Sequence, residues 1–316
     1  MTWRGAPHPT KGLVLLPNLR NSLAAMLLRR YPLYSGMGSL ANSRIITALA
    51  GRSDEHTWCS TAGGEVLAPL NDYVGRAAFF CGDLDPKVSW VCTKLVNPGD
   101  TVCDIGANIG IVTLLLSRLV GNAGKVFAFE PNPACYEALT AAIARNRMNN
   151  VLPRPIALGS RTEQRDLSIP ADNAGAASLR ETGDRASGKT TSVAVRTLDD
   201  FVEAHKIESI QFMKLDVEGF ESEVFKGSHR VLETLRPDAI LFEMNERFTG
   251  PLIDHPAFSI LDRFDYAFLY LPKGFLRVRP RTFDPKKATH LPGHDVIAVP
   301  RGDRFQDAAR KLKAVV

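Results

Sequence analysis

The chain reads as an α/β protein with a Rossmann-like body: a mostly parallel sheet covered by helices. Three observations predict this. Thr101-Val-Cys-Asp-Ile-Gly-Ala-Asn-Ile-Gly110 joins an apolar strand to a glycine-rich turn and a helix. Val126-Phe-Ala-Phe-Glu-Pro131 is a second strand, ending in a carboxylate. Runs of strand and helix length then alternate along the chain, the rhythm of βαβ units.

The elements follow in order. Residues 1–75 are expected to form a small N-terminal appendage, a basic helix followed by an antiparallel element around Glu65–Leu70. Residues 76–316 form the main domain. Asp85–Leu95 reads as a helix with Pro86 in its first turn. Asn97-Pro-Gly-Asp100 stops it and starts strand 101–105. Helix 109–119, strand 125–130, helix 133–147 and strand 151–158 complete the first half. Pro, Gly, Ser and Ala dominate Ile169–Ser192, so this stretch is expected to be a long loop or a short hairpin, with Ser192–Arg196 alternating like a strand. A helix near 198–205, strand 209–215, helices at 221–226 and 228–235, and strand 239–242 resume the rhythm. Tyr266–Leu271, Phe275–Arg279 and Asp295–Val299 suggest an antiparallel hairpin at the edge of the sheet.

Position 108 points to the kind of cofactor. A dinucleotide fingerprint places a glycine there so that backbone can approach a pyrophosphate. Here the residue is Asn108, and Asp104 sets a carboxylate just before the turn. That disfavours a nicotinamide dehydrogenase and suits a cationic cofactor such as S-adenosylmethionine. Gly106 permits the tight turn and Gly110 a close approach of the new helix. Glu130 is placed to accept hydrogen bonds from two ribose hydroxyls.

A second loaded stretch is Gln211-Phe-Met-Lys-Leu-Asp-Val-Glu-Gly-Phe-Glu221. Residues two apart share a strand face, so Lys214, Asp216 and Glu218 would align if the strand ran through all three. Ligands of open α/β sheets bind beyond the carboxyl ends of the strands, beside Asp104 and Glu130. Asp216 is the first candidate for a general base or a magnesium ligand and Glu218 the second, with capping of the next helix as an alternative for Glu218. His229, shortly after, is a third candidate base. Lys214, Glu243 and Asn245 are candidate substrate contacts. The seven histidines show no metal-ligand spacing.

Composition bounds the rest. Of the 316 residues, 45% are apolar and 23% charged, ordinary for a globular protein. The five cysteines lack metal-type spacing and read as reduced, buried residues of a cytoplasmic protein. The net charge of +5 is concentrated at one end. Residues 1–53 contain Arg4, Lys11, Arg20, Arg29, Arg30, Arg44 and Arg52 and no acid. Leu19, Leu23, Met26 and Leu27 share one helical face, so residues 19–30 could lie peripherally on an anionic membrane, or cap the domain with their arginines solvated. Nucleic acid is not expected as a partner, because basic and aromatic residues are not interleaved elsewhere. Neither a signal peptide nor a membrane span is convincing.

Asp104-Ile-Gly-Ala-Asn-Ile-Gly110, Phe129-Glu-Pro-Asn-Pro133, Ala157-Leu-Gly159, Thr197-Leu-Asp199 and Lys214-Leu-Asp-Val-Glu-Gly219 together resemble the FkbM family of S-adenosylmethionine-dependent methyltransferases. Glu221, Lys226-Gly227 and Leu241-Phe-Glu243 continue the likeness over roughly residues 75–300. The resemblance implies a class I methyltransferase fold, a mostly parallel seven-stranded sheet with one antiparallel strand. It implies O-methylation of a sugar, glycan or natural-product hydroxyl. Asp104, Gly106, Asn108 and Gly110 would surround the methionine part of the cofactor, Glu130 its ribose, and Asp216 and Glu218 the transfer site. A lipid, protein or nitrogen acceptor is one alternative; a non-enzymatic cofactor-binding or membrane-surface protein is another.

Overall fold

The computed structural model describes residues 19–29, 34–50, 53–171, 173–179, 188–244, 248–274, 277–291 and 293–315. The chain opens with three short helices, α1 (Leu19–Leu28), α2 (Met37–Ala41) and α3 (Arg44–Ala50), then an antiparallel pair, β1 (His56–Ser60) and β2 (Glu65–Pro69). Helix α4 (Tyr73–Cys81) begins where the Asp72 carboxylate accepts hydrogen bonds from the Val74 and Gly75 amides. The expected boundary at residue 75 therefore falls inside a helix. The appendage also shares a core with the main body, where Val66, Ala68 and Phe80 join Leu114 and Ala142.

The body continues through α5 (Pro86–Leu95), β3 (Thr101–Ile105), α6 (Ile111–Val120), β4 (Lys125–Phe129), α7 (Pro133–Asn146), β5 (Val151–Arg154) and β6 (Ala157–Leu158). Next come β7 (Glu163–Pro170), β8 (Gly188–Arg196), α8 (Leu198–Ala204), β9 (Phe212–Leu215), α9 (Glu221–Lys226) and β10 (Ala239–Glu243). The tail is α10 (Pro256–Arg263), β11 (Tyr266–Leu271), β12 (Arg281–Phe283), β13 (Asp295–Pro300) and α11 (Asp303–Lys311).

The main sheet has eight strands in the order β12-β11-β13-β10-β9-β3-β4-β5. From β10 to β5 every pairing is parallel; β13 runs against β10 and β11, and β12 against β11. This corrects the expected seven strands with one reversed: the short edge strand β12 is an eighth and also runs backwards. It forms at 281–283; of the strand expected at 275–279, residues 277–279 belong to no element and 275–276 lie outside the described residues. The expected strand 151–158 is two elements, because Pro155 has no N–H to continue the ladder and the chain leaves the sheet there. β6 instead joins a small sheet, β6-β8-β7, whose β7–β8 pairing is the hairpin expected near residues 167–196. The helix expected at 228–235 is present over 229–235, opening as α-helix and ending in a π-helical turn, Val231–Leu235.

The central strands are buried on both faces. On β10, Ile240 and Phe242 join one core cluster while Ala239 and Leu241 join the other. Packing reaches the strand ends that matter. Phe127 and Phe129 meet the Phe201 ring at 5.5 and 4.8 Å. Phe129 is fully buried, worth about 1.5–3 kcal/mol, and fixes the position of Glu130 beyond it.

Candidate active site

The carboxyl ends of β3, β4, β9 and β10 open onto two joined spaces. A narrow cleft of about 590 Å³ lies over Glu130, walled by Ile156, Leu167, Leu179 and Phe220. A wider cavity of about 1370 Å³ runs over Glu243 toward α2 and α5. Asn108, Gly175 and Asp216 line both, so the two spaces meet there.

The turn between β3 and α6 is shaped by backbone crowding. Gly106 has φ +78, and a Cβ there would lie 1.9 Å from the Asp216 carbonyl oxygen. Only glycine lets these two strand ends come so close. Asn108 also has a positive φ, 51, and its side chain accepts from the Ile109 amide at 2.7 Å. Gly110, at φ +96, caps α6 and packs on Leu139. Its expected place around the cofactor is corrected, since it lines neither space.

Glu130 clamps the loop: its carboxylate accepts from the Asn108 amide at 2.7 Å and the Asn132 amide at 2.8 Å. Burial pushes its pKa up to about 7, against those two hydrogen bonds. Each carboxylate oxygen keeps capacity for a further donor, as ribose recognition requires. Asp104 sits one layer deeper. It is fully buried, accepts from the Thr113 hydroxyl at 2.6 Å and pairs with Lys214 at 3.2 Å. It lines neither space and lies beneath them.

Lys214 is the hinge between the two acidic motifs. Its ammonium donates to the Gly106 carbonyl at 2.7 Å and lies 3.2 Å from Asp104 and 3.7 Å from Asp216. Burial opposes the charge, but the two carboxylates outweigh it and raise the pKa. Gly106 and Asp104 engage two of its donors, the Asp216 carboxylate pairs with its charge at a distance longer than a hydrogen bond, and Lys214 itself lines the wide cavity. Asp216 stands just past the end of β9, about one-third exposed, where the two spaces meet.

Glu218 is not on the strand. β9 stops at Leu215 and Glu218 adopts φ 51 in the following turn, still lining the wide cavity. Helix α9 starts without a side-chain cap; Glu221 instead braces the preceding turn, its carboxylate accepting from the Val217 and Gly219 amides at 3.3 Å each. Burial raises Glu221 to about 7. His229 is exposed, packs edge-on against Phe264 at 5.0 Å and lines neither space, which removes it as a base. Glu243 lines the wide cavity, and burial and then the neighbouring Asp216 raise its pKa. Asn245 lies outside the described residues. Among the described residues no three acidic, histidine or cysteine side chains group as a metal site, so the magnesium expectation for Asp216 and Glu218 gains no third ligand.

Other site residues escaped sequence reasoning. Lys87, from the first turn of α5, pairs with Asp85 at 2.9 Å and with Asp295 at the start of β13. All three line the wide cavity, as do Ser35 and Tyr73. The only local signal was the Asp85-Pro86 helix start. Residues 173–179 cross the mouth of the narrow cleft, held where the Ala174 amide donates to Asp72 at 2.7 Å and its carbonyl accepts from Asn132 at 3.2 Å. Gly175 there lies so close to Asn108 and Val74 that a Cβ would come within 2.6 Å of both.

An apolar slot for a flat ring, a carboxylate at its edge for two hydroxyls, and the unpartnered buried Asn173 Oδ1 beside the junction fit an adenosine-bearing cationic cofactor. The methyltransferase FkbM domain model matches residues 104–267. Hexuronic acid methyltransferase AglP of Haloferax volcanii is 29% identical over 138 residues, 43% of this chain and 53% of that protein. The chain thus spans about half of that relative's length. Methyltransferase sdnD of Sordaria araneosa is 29% identical over 176 residues, 44% of this chain and 68% of that protein. Among solved structures, methyltransferase FkbM from Methylobacillus flagellatus KT covers 89% of this chain and 59% of its own, with TM-score 0.41 and 16% identity. With its family model matching just over half of the residues, the chain belongs to the FkbM family of S-adenosylmethionine-dependent methyltransferases.

Proposed function

We propose that the chain transfers the methyl group of S-adenosylmethionine to a hydroxyl oxygen of a sugar, glycan or related natural product. The observation that carries this reading is the meeting of the narrow cleft and the wide cavity at Asn108, Gly175 and Asp216. A cofactor seated over Glu130 supplies an electrophilic methyl group with a good leaving group, so the protein's task is alignment and removal of one proton. Asp216 stands at the junction, oriented by Lys214, and takes the hydroxyl proton as the oxygen attacks. Glu243 and Tyr73 offer polar contacts to an acceptor in the wide cavity. The likeness to a hexuronic acid methyltransferase supports a sugar acceptor. The test is formation of S-adenosylhomocysteine with a panel of sugar, polyketide and amine acceptors. Turnover confined to amines would overturn the oxygen assignment.

The reading extends to location: the protein works in the cytoplasm, with its N-terminal helices resting on an anionic membrane surface. Met26, Leu27 and Ile45 are 49%, 65% and 71% exposed on α1 and α3, with Arg44 exposed beside them. α2 turns its other side to the wide cavity through Gly38 and Ser39. Arg29 is not part of that surface. It donates to the carbonyls of Ser60, Ala78 and Phe79 and ties α1 to the end of α4. The side chains of Leu19 and Leu23, and Arg30, lie outside the described residues.

A further inference from the structure

The wide cavity carries a row of charges across the strand ends, and the row is unevenly compensated. At one end Lys214 sits between Asp104 and Asp216. At the other, Lys87 sits between Asp85 and Asp295. Each ammonium is buried and already faces two carboxylates. Glu243 stands between the two groups. It ends β10 directly across from Asp295 and neighbours Asp216 just past the end of β9, and no described ammonium pairs with it. The third lysine of the cavity, Lys273, lies exposed at the wall, where solvent screens it.

From this arrangement we infer that the acceptor is uncharged or cationic, a polyol or an amino sugar rather than a carboxylate-bearing one, and that Glu243 selects it. The inference rests on the methyl-transfer reading above and names its substrate class. An acceptor carboxylate entering this cavity would meet Asp216, Glu243 and Asp295 with no buried ammonium left to pair with. Burying such a charge unpaired is costly, and placing it against like charges adds to the cost. A hydroxyl or ammonium in the same place meets acceptors. The selection belongs to the ionised form: burial and Asp216 push the Glu243 pKa up to about 9, so the trio is compared on both sides of that value and the gap should widen as Glu243 ionises. The chain would then differ from its hexuronic acid methyltransferase relative in the charge of the ring it accepts.

A matched trio tests it: a methyl hexoside, the corresponding hexuronoside and the corresponding amino-hexoside, with cyclitol counterparts of each charge. Binding to the protein loaded with S-adenosylhomocysteine is measured by saturation-transfer NMR, and turnover separately with S-adenosylmethionine. The neutral and amino members should bind at least about 30-fold more tightly than the uronoside, the scale of an unpaired charge. Glu243→Gln, which keeps the shape and removes the ionisable group, should narrow that gap to less than about fivefold through uronoside KM, with S-adenosylhomocysteine affinity unchanged. Tighter binding of the carboxylate member, equal binding of all three, or binding of none overturns the inference. Selective binding of neutral members with no methyl transfer to any of them would overturn the functional reading and leave the charge selection standing.

Discussion

The two halves of the site are built by different means. Over β3 and β4, the cofactor side is made of backbone: Gly106 pressed against the Asp216 carbonyl, and Glu130 receiving two amides from neighbouring loops. Across β9, β10 and β13, the acceptor side is made of side chains: Asp216, Glu243, Lys87 and Asp295, supplied by separate elements. Backbone geometry demands particular residues at fixed short spacing, so the cofactor half is written in contiguous motifs. The acceptor half needs only charges that the fold brings together, and it is free to vary.

The largest effect should come from the residue shared by both halves. Asp216→Asn keeps the shape but cannot take a proton. Turnover should fall about 10²–10⁴-fold, the usual range for lost acid–base catalysis, while cofactor affinity stays within a few-fold. If affinity collapses together with turnover, Asp216 belongs to the cofactor half and the two halves are not separate. Gly106→Ala should damage both halves at once, since the new methyl would meet the Asp216 carbonyl at 1.9 Å from a backbone with φ +78. A loss of at least about 2 kcal/mol in unfolding free energy is expected from strain alone, read by denaturant titration.

How much of this was legible follows the same line. Strands β3, β4, β10 and β11, the tight turn at Gly106 and the place of Glu130 at the end of its strand could be read because local constraints fix them. Asp104 was misplaced by one layer, since a sequence does not show that Thr113 and Lys214 already occupy its carboxylate. The alignment of Glu218 with Lys214 and Asp216 depended on the strand running that far; β9 stops at Leu215, and Glu218 takes a positive φ in the turn beyond it. The Lys87–Asp85–Asp295 group was invisible, because Asp295 lies about two hundred residues from the other two and meets them only once β13 enters the sheet.

Glu130→Ala is a measure of the cofactor half by itself. It removes two carboxylate–amide hydrogen bonds that shape the loop and the proposed ribose acceptor. S-adenosylhomocysteine binding should weaken by about 1.5–3 kcal/mol in calorimetry, the scale of charge-assisted hydrogen bonds. An unchanged affinity in a folded variant would take Glu130 out of the ribose site.

Glu221 sharpens the comparison from the side of stability. Burial raises its pKa from 4.5 to about 7, so the folded state favours the protonated acid. The sign follows: its stabilising contribution is complete below about pH 4.5 and is lost as pH rises through about 7. Glu130 shifts in the same direction over the same window. The ligand-free protein should therefore melt at a lower temperature at pH 8 than at pH 5, by these two groups. Glu221→Gln retains an oxygen for the Val217 and Gly219 amides and should flatten part of that slope. An identical slope in the variant would remove Glu221 from the account.

The smallest effect concerns the N-terminal helices, which touch the acceptor half alone. If Met26, Leu27 and Ile45 meet a membrane, binding to vesicles containing phosphatidylglycerol should fall steeply as salt rises, because screening weakens surface attraction. Arg44→Gln should reduce that binding about fivefold, from ~1 kcal/mol per basic residue near an anionic surface. Leu27→Ser should reduce it by a further few-fold at any salt, since its contribution is apolar burial rather than charge. Turnover on a soluble acceptor should remain intact in both variants, because neither residue lines the site. The salt response separates the two variants: Arg44→Gln should make the remaining binding less salt-dependent, and Leu27→Ser should not. Absence of vesicle binding at low salt would sink the membrane reading, leaving these helices as a wall of the acceptor cavity and nothing more.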